Sequence, residues 1–148
     1  MLRRLSRILP ERHAAGALIF DGAGRMLLVK DWARREWGYP GGYANRGETM
    51  QAACAREVGE EVGLVLAPKR FVELGTHRWE RPLGTLAFTT FVLEVTSEEA
   101  AGVTLQRREL SHYQWVEPAA ILETVAPRLR QRLTDLLMTY HQLPHQTK

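Results

Sequence analysis

The stretch from Thr49 to Gly63 constrains this chain most, because it spells a helix with both ends marked. Thr49 is of the type that caps a helix start, and Gly63 sits where a left-handed residue closes one. At about 100° per residue, Arg56, Glu57, Glu60 and Glu61 fall on one continuous side with Thr49. Gln51, Cys54, Ala55, Val58 and Val62 fall on the other and form the apolar stripe. Such a helix must bury one stripe against a partner while offering three carboxylates and one guanidinium. Glu57 and Glu61, at i and i+4, repel each other mildly. A divalent cation would relieve that repulsion, and clustered carboxylates suit Mg²⁺ or Mn²⁺, hard ions that prefer oxygen. A solvated acidic face with Arg56 as its counter-charge accounts for the same residues.

The partner surface is a sheet. Ala14–Phe20 and Arg25–Lys30 read as strands joined by the turn Asp21-Gly22-Ala23-Gly24, a hairpin. Asp31–Glu36 reads as a loop, Trp37–Tyr39 as a short strand, and Pro40-Gly41-Gly42 as a break in regular structure. Phe71–His77, Leu83–Val95 and Tyr113–Val116 read as further strands. Pro118 suits the first turn of a short helix that ends before Pro127. Arg128–Tyr140 repeats Leu129, Leu133, Leu136, Leu137 and Tyr140 at helical spacing. Hairpins mixed with helices predict an α/β fold with a mixed sheet covered by helices. With 148 residues there is room for one domain, expected at 14–140 between a basic leader, 1–13, and a polar tail, 141–148.

The approach to the helix sharpens its reading. Pro40-Gly41-Gly42 ends a strand, and glycines let backbone groups come close to a metal or phosphate. Gly47-Glu48 then leads into Thr49. From Gly42 the order is five residues, Glu48, seven residues, Arg56-Glu57, Val58, one residue, Glu60-Glu61, one residue, Gly63 and Leu64. This resembles the Nudix box at each of its specified positions. The strand at Ala14–Ile19, Leu27-Leu28-Val29, Trp37, Pro40-Gly41-Gly42, and Glu109 followed by Trp115-Val116 also look like that family, so the resemblance runs over roughly 14–122.

The resemblance implies an α/β/α sandwich and a MutT-like pyrophosphohydrolase that cuts a nucleoside diphosphate linked to another moiety. It implies Mg²⁺, or Mn²⁺, held by Glu57, Glu60 and Glu61, with the Gly42 carbonyl as a further ligand. Glu57 acts as base in some members. Arg56 would orient the glutamates, Glu48 would brace the loop, and Gly63 would close the helix. Metal ions neutralise a pyrophosphate, polarise it and lower the pKa of a bound water, and a nearby carboxylate takes the proton. A fourth acid outside the box often contributes. Glu109 is the first candidate, ahead of Glu80 and Glu94, and a plain surface charge is its alternative.

Specificity residues lie outside the box. Arg78, Trp79 and Arg81 lie in His77–Pro82, read as a loop that would stack a base and hold a phosphate, or simply be solvated around a packed Trp79. Arg34 and Arg35 carry the same two readings. Tyr39, where the family more often has leucine, and Tyr43 are candidates for the cavity lining. His13, His77 and His112 have no metal-ligand spacing, and Cys54 is read as a packed small residue.

Composition narrows the partners. The single cysteine excludes an internal disulfide framework. Net charge is only +3, with no basic stripe, so the expected partner is a small nucleotide and not nucleic acid. No run approaches the ~20 apolar residues of a membrane helix, and the Arg-rich start has no continuous apolar core, so the expected location is the cytoplasm. Monomer and homodimer both stand open. Two other functions compete with the hydrolase: action on an RNA 5′ end, and a Nudix-fold module that senses a nucleotide without cutting it.

Overall fold

The strand β1 (Arg12–Phe20) is the spine of the fold. The computed structural model describes residues 11–144. In chain order β1 is followed by β2 (Met26–Asp31), β3 (Trp37–Gly38), β4 (Gly41–Tyr43) and α1 (Met50–Val62). Then come β5 (Val72–Arg81), β6 (Gly84–Glu94), α2 (Ser97–Ala100), β7 (Leu110–Val116), α3 (Ile121–Thr124) and α4 (Arg130–His141). The strands make one seven-stranded mixed sheet. β6 pairs parallel to β1 from Arg12↔Leu86 to Phe20↔Glu94, and the other pairings are antiparallel.

Alternation along β1 sorts the core into two layers. Ala15, Ala17 and Ile19 face α1 and pack with Cys54, Val58, Val62, Phe71 and Phe91. Leu18 and Phe20 face the other way, under α3 and α4, with Ile121, Leu133, Leu136 and Tyr140. Phe20 stacks on Tyr140 at 4.9 Å between ring centroids. The helical stripe read from Leu129 to Tyr140 is therefore core, and the sandwich is α/β/α as expected.

Four elements differ from the sequence reading. Pro40-Gly41-Gly42 does not end regular structure: Gly41–Tyr43 forms β4, paired to β1 through Gly16↔Gly41, Ala15↔Gly42 and Ala14↔Tyr43. A Cβ on Gly41 would stand 2.4 Å from the Ala15 carbonyl oxygen, so glycine is what lets β4 approach. Gly41→Ala is expected to lose about 1–3 kcal/mol by overpacking against backbone, read as a lower Tm. His77–Pro82 is not a loop either, since β5 runs to Arg81 and turns at Pro82-Leu83 into β6. Arg12 and His13 belong to β1 and not to a leader, while residues 1–10 of that leader lie outside the described residues. His141, the first residue of the expected tail, closes α4, and residues 145–148 also lie outside. Among the described residues no helix is long and apolar enough to cross a membrane.

Candidate active site

The helix α1 is held as its sequence dictates. The Thr49 hydroxyl accepts from the Ala52 amide at 3.1 Å. Gly63 takes φ 73°, the left-handed region, and its amide bonds Gly59 at the other end. These caps fix the rotation of the helix, and β4 fixes what lies beside it.

Arg56 is the hub of the polar side. Its Nε and Nη2 donate to the two carboxylate oxygens of Glu48 at 2.8 and 3.0 Å, and Nη2 also donates to the Tyr43 carbonyl at 3.0 Å. Nη1 donates to Glu57 at 3.0 Å and to Glu60 at 3.2 Å. Glu48 in turn accepts from the Asn45 amide at 2.8 Å, so it ties the loop to the helix. The Arg56 guanidinium, with that amide, holds the Glu48 carboxyl below its ordinary pKa. Three carboxylates around one arginine form a bidentate-anchored network, stronger than isolated surface pairs.

Glu61 departs from the wheel. It was placed on the open polar side, yet it is buried, and its carboxylate accepts from the Gly41 amide at 2.9 Å. The wheel ranks directions around a helix but does not know that β4 lies against that side. Burial pushes the Glu61 carboxyl up to about 8, with Glu57, Glu109 and Glu60 adding repulsion against the Gly41 hydrogen bond. Glu57 is raised too, by burial first, against the pull of Arg56. Gln51, placed on the apolar side, uses its amide on the Phe71 carbonyl at 2.9 Å. Cys54 is fully buried, and burial with Glu61 and Glu57 nearby pushes its thiol up to about 12, so it is no nucleophile.

Gly42 and Glu57 meet. A Cβ on Gly42 would come 2.5 Å from the Glu57 carboxylate, so the missing side chain is the space that Glu57 fills. Gly42→Ala is expected to displace Glu57 while leaving β4 in place, with a turnover loss on the order of 100-fold and little change in Tm. Paired with Gly41→Ala, it separates the glycine that leaves room for Glu57 from the glycine that lets β4 approach β1.

Of the α1 carboxylates, Glu61 reaches a cavity of about 760 Å³, a size suited to a small organic ligand, while Glu57 and Glu60 are not among its walls. Glu61 and Glu109 line it together with Gly41, Gly42, Tyr39 and Tyr43. Glu109 is carried on the loop before β7, which Trp32 ties down through bonds to the carbonyls of Glu109 and Arg107. Trp79, Phe88 and Leu86 supply an apolar wall, with Trp79 edge-on to Phe88. Tyr39 is half-buried beside Phe88 and its hydroxyl reaches Thr90 at 3.2 Å. Tyr43 lies under the Arg12 guanidinium, 4.1 Å from ring centroid to Cζ.

Other candidates are placed elsewhere. Arg81 and Glu80 line the cavity, but Arg78 does not; its Nε donates to Glu11 at 3.0 Å. Glu94 accepts from the Tyr140 hydroxyl at 2.9 Å, in the layer under α4. Arg34 lines the cavity and Arg35 is not among its walls. The sequence reading missed Arg128 and Arg132 there. They stand four apart at the start of the C-terminal helical pattern, a spacing that puts them on one side but does not say what that side faces.

The site's fit to a metal can be judged from its donors. Among the described residues no three acidic, histidine or cysteine side chains form a ready-made metal cage. Arg56 engages Glu57 and Glu60, and Gly41 engages Glu61. The donors are carboxylate oxygens, two of them raised by burial with neighbouring carboxylates adding repulsion, which suits a hard dication and not a thiolate-loving one.

A mixed sheet between helices, with a glycine strand and a capped glutamate helix at the edge of a cavity, defines an α/β/α enzyme scaffold. A model of the NUDIX domain matches residues 10–137, and the chain belongs to the Nudix hydrolase family. Phosphatase NudJ of Escherichia coli (strain K12) is 28% identical over 123 residues, which are 82% of this chain and 77% of that protein. The MutT protein of Methanosarcina mazei Go1 superposes with a TM-score of 0.70 at 24% identity, over 90% of this chain and 96% of that one. A C. elegans Ap4A hydrolase in a binary complex superposes with a TM-score of 0.70 at 18% identity, over 89% of this chain and 99% of that one. The two structures share the fold.

Proposed function

We propose that the chain is a Mg²⁺-dependent pyrophosphohydrolase that cleaves the diphosphate bond of a small nucleotide derivative. That derivative is a nucleoside diphosphate linked to another moiety or a nucleoside triphosphate. The observation that carries this reading is the Glu57 carboxylate, seated in the space left by Gly42 and held by Arg56, beside the buried Glu61. Family membership and the hydrolase and phosphatase names of its relatives support it.

Glu57, Glu60 and Glu61 would hold the metal, with the Gly42 carbonyl. When bound, Mg²⁺, or Mn²⁺ in its place, supplies charge neutralisation of the diphosphate and a more acidic water. Arg56 fixes two of the three carboxylates, so their positions do not have to be found during the reaction. Glu57, raised by burial and held by Arg56, is the carboxylate that would take a proton, and Glu109 is an acid that lines the cavity. Trp79 and Phe88 offer rings to a base, while Tyr39, Tyr43 and Arg81 line the same space.

Retention of the full set of box glutamates favours hydrolysis over a nucleotide sensor, which needs no such set. The modest net charge favours a small substrate over an RNA end. The test is product release from a panel of sugar nucleotides, ADP-ribose, dinucleoside polyphosphates, CDP-alcohols, NADH and nucleoside triphosphates, run in MgCl₂ and in EDTA. Turnover of one group that disappears in EDTA is expected. Nucleotide binding without turnover of any member would favour the sensor instead.

A further inference from the structure

The guanidinium of Arg132 is unexplained by anything above. Its Nε and Nη2 atoms are buried and, among the described residues, have no hydrogen-bond partner. A guanidinium does not give up its proton in a protein, so burial leaves a charge and its donors unanswered, which is costly. The position adds to the penalty. Arg132 lies in the first turn of α4, whose start carries no side-chain cap, and a helix start disfavours a cation.

Its neighbours do not answer the charge. The Tyr39 hydroxyl, close enough to feel Arg132, is engaged with Thr90. Glu36, an acid on the same cavity wall, pairs with Arg128 at 3.5 Å. Leu129, just before α4, and Leu133 within it are apolar, the second in the core and the first packed against it. What remains beside Arg132 is the cavity it lines. The wall is contributed by α4, across the sheet from α1 and its carboxylates.

The geometry points to Arg132 as a specificity residue that receives an oxyanion of the substrate, a phosphate or carboxylate group beyond the bond that is cut. This rests on the reading of the cavity as the substrate site. A planar fork with two donors that no described residue satisfies matches the two oxygens of such a group, and the positive end of α4 favours it too. The oxyanion comes from one of two sources, the terminal phosphate of a polyphosphate chain or an acidic group on the linked moiety.

The variant is Arg132→Met, which keeps the length of the side chain and removes the charge, with Arg132→Lys as the conservative partner. In EDTA and without ligand, Arg132→Met is expected to melt at or above the wild-type temperature. A clear drop in Tm would mean that the guanidinium is a structural strut and would overturn the inference. Calorimetric titration with inorganic pyrophosphate in EDTA is expected to show binding at least tenfold weaker in Arg132→Met and partly restored in Arg132→Lys. Equal affinity, or no binding by wild type, would overturn it.

Kinetics with MgCl₂ then separate the sources. A KM rise of tenfold or more with kcat kept, for ATP but not ADP-glucose, assigns a terminal phosphate. The same rise for UDP-glucuronate but not UDP-glucose assigns an acid on the moiety. An unchanged KM for all four, with turnover intact, overturns the inference and leaves the hydrolase reading standing. No turnover of any nucleotide, with pyrophosphate binding still dependent on Arg132, removes the hydrolase reading and keeps Arg132 as the oxyanion-binding residue of the cavity.

Discussion

Replacing Glu57 by glutamine is expected to reduce turnover about 10²–10⁴-fold while the protein stays folded and still binds its nucleotide. The substitution keeps the shape that fills the Gly42 space, so β4 and α1 keep their contact. It removes the negative charge that Arg56 holds at 3.0 Å and the only oxygen pair of that side chain able to take a proton. Steady-state kinetics against the panel check the loss, and a circular dichroism melt checks the fold. The same substitution in a nucleotide sensor would leave its function in place.

Glu61 gives the second large effect, on stability. Its carboxyl is raised from its ordinary value to about 8 because the charged form is buried. The sign follows from linkage. Between roughly pH 4.5 and 8 the folded protein keeps a proton that the unfolded chain releases, so metal-free stability is highest below that window. It falls as the pH rises through it and levels off above about 8. The drop is on the order of a few kcal/mol, since each pKa unit corresponds to about 1.36 kcal/mol. Glu61→Gln is expected to flatten this slope and to raise the Tm of the metal-free protein at pH 8. Melts in EDTA across pH 5 to 9 read both effects. Saturating Mg²⁺ is expected to restore the wild type more at pH 8 than at pH 5, because the cation then meets an ionised carboxylate.

Local signals make α1 legible in the sequence. Thr49 and Gly63 act on their own neighbours, and the spacing of Arg56, Glu57, Glu60 and Glu61 is a property of one helix. The box residues could therefore be named, whereas the pairing of Arg56 with Glu48 across the loop is seen only in the structure. Long-range pairing was not legible in the same way. The register of Gly41 and Gly42 against Ala15 and Gly16 joins distant segments, and it turned an expected break into β4 and buried Glu61. A wheel drawn for α1 alone carries no trace of that strand.

The cavity lining divides in the same manner. Trp79 and Arg81 were found because an aromatic among arginines is conspicuous, but Arg78 in the same run goes to Glu11. The resemblance ranks Glu109 ahead of Glu94, and the structure adds a physical reason: Tyr140 docks on Glu94, while Glu109 lines the cavity. Arg132 was hidden inside a helical leucine pattern whose apolar stripe is core, as read. Its meaning depends on where α4 crosses the sheet, which no short-range spacing encodes.

The most direct measurement follows the oxygen. Wild type and Glu57→Gln are incubated with the preferred panel member and MgCl₂ in ¹⁸O-labelled water, and the products are weighed by mass spectrometry. Cleavage of the diphosphate bond is expected to give two phosphorylated products, or a nucleoside monophosphate and pyrophosphate, with a single ¹⁸O on one phosphoryl group and almost none formed by the variant. Release of inorganic phosphate alone from a terminal monoester, or equal product from both proteins, would contradict it.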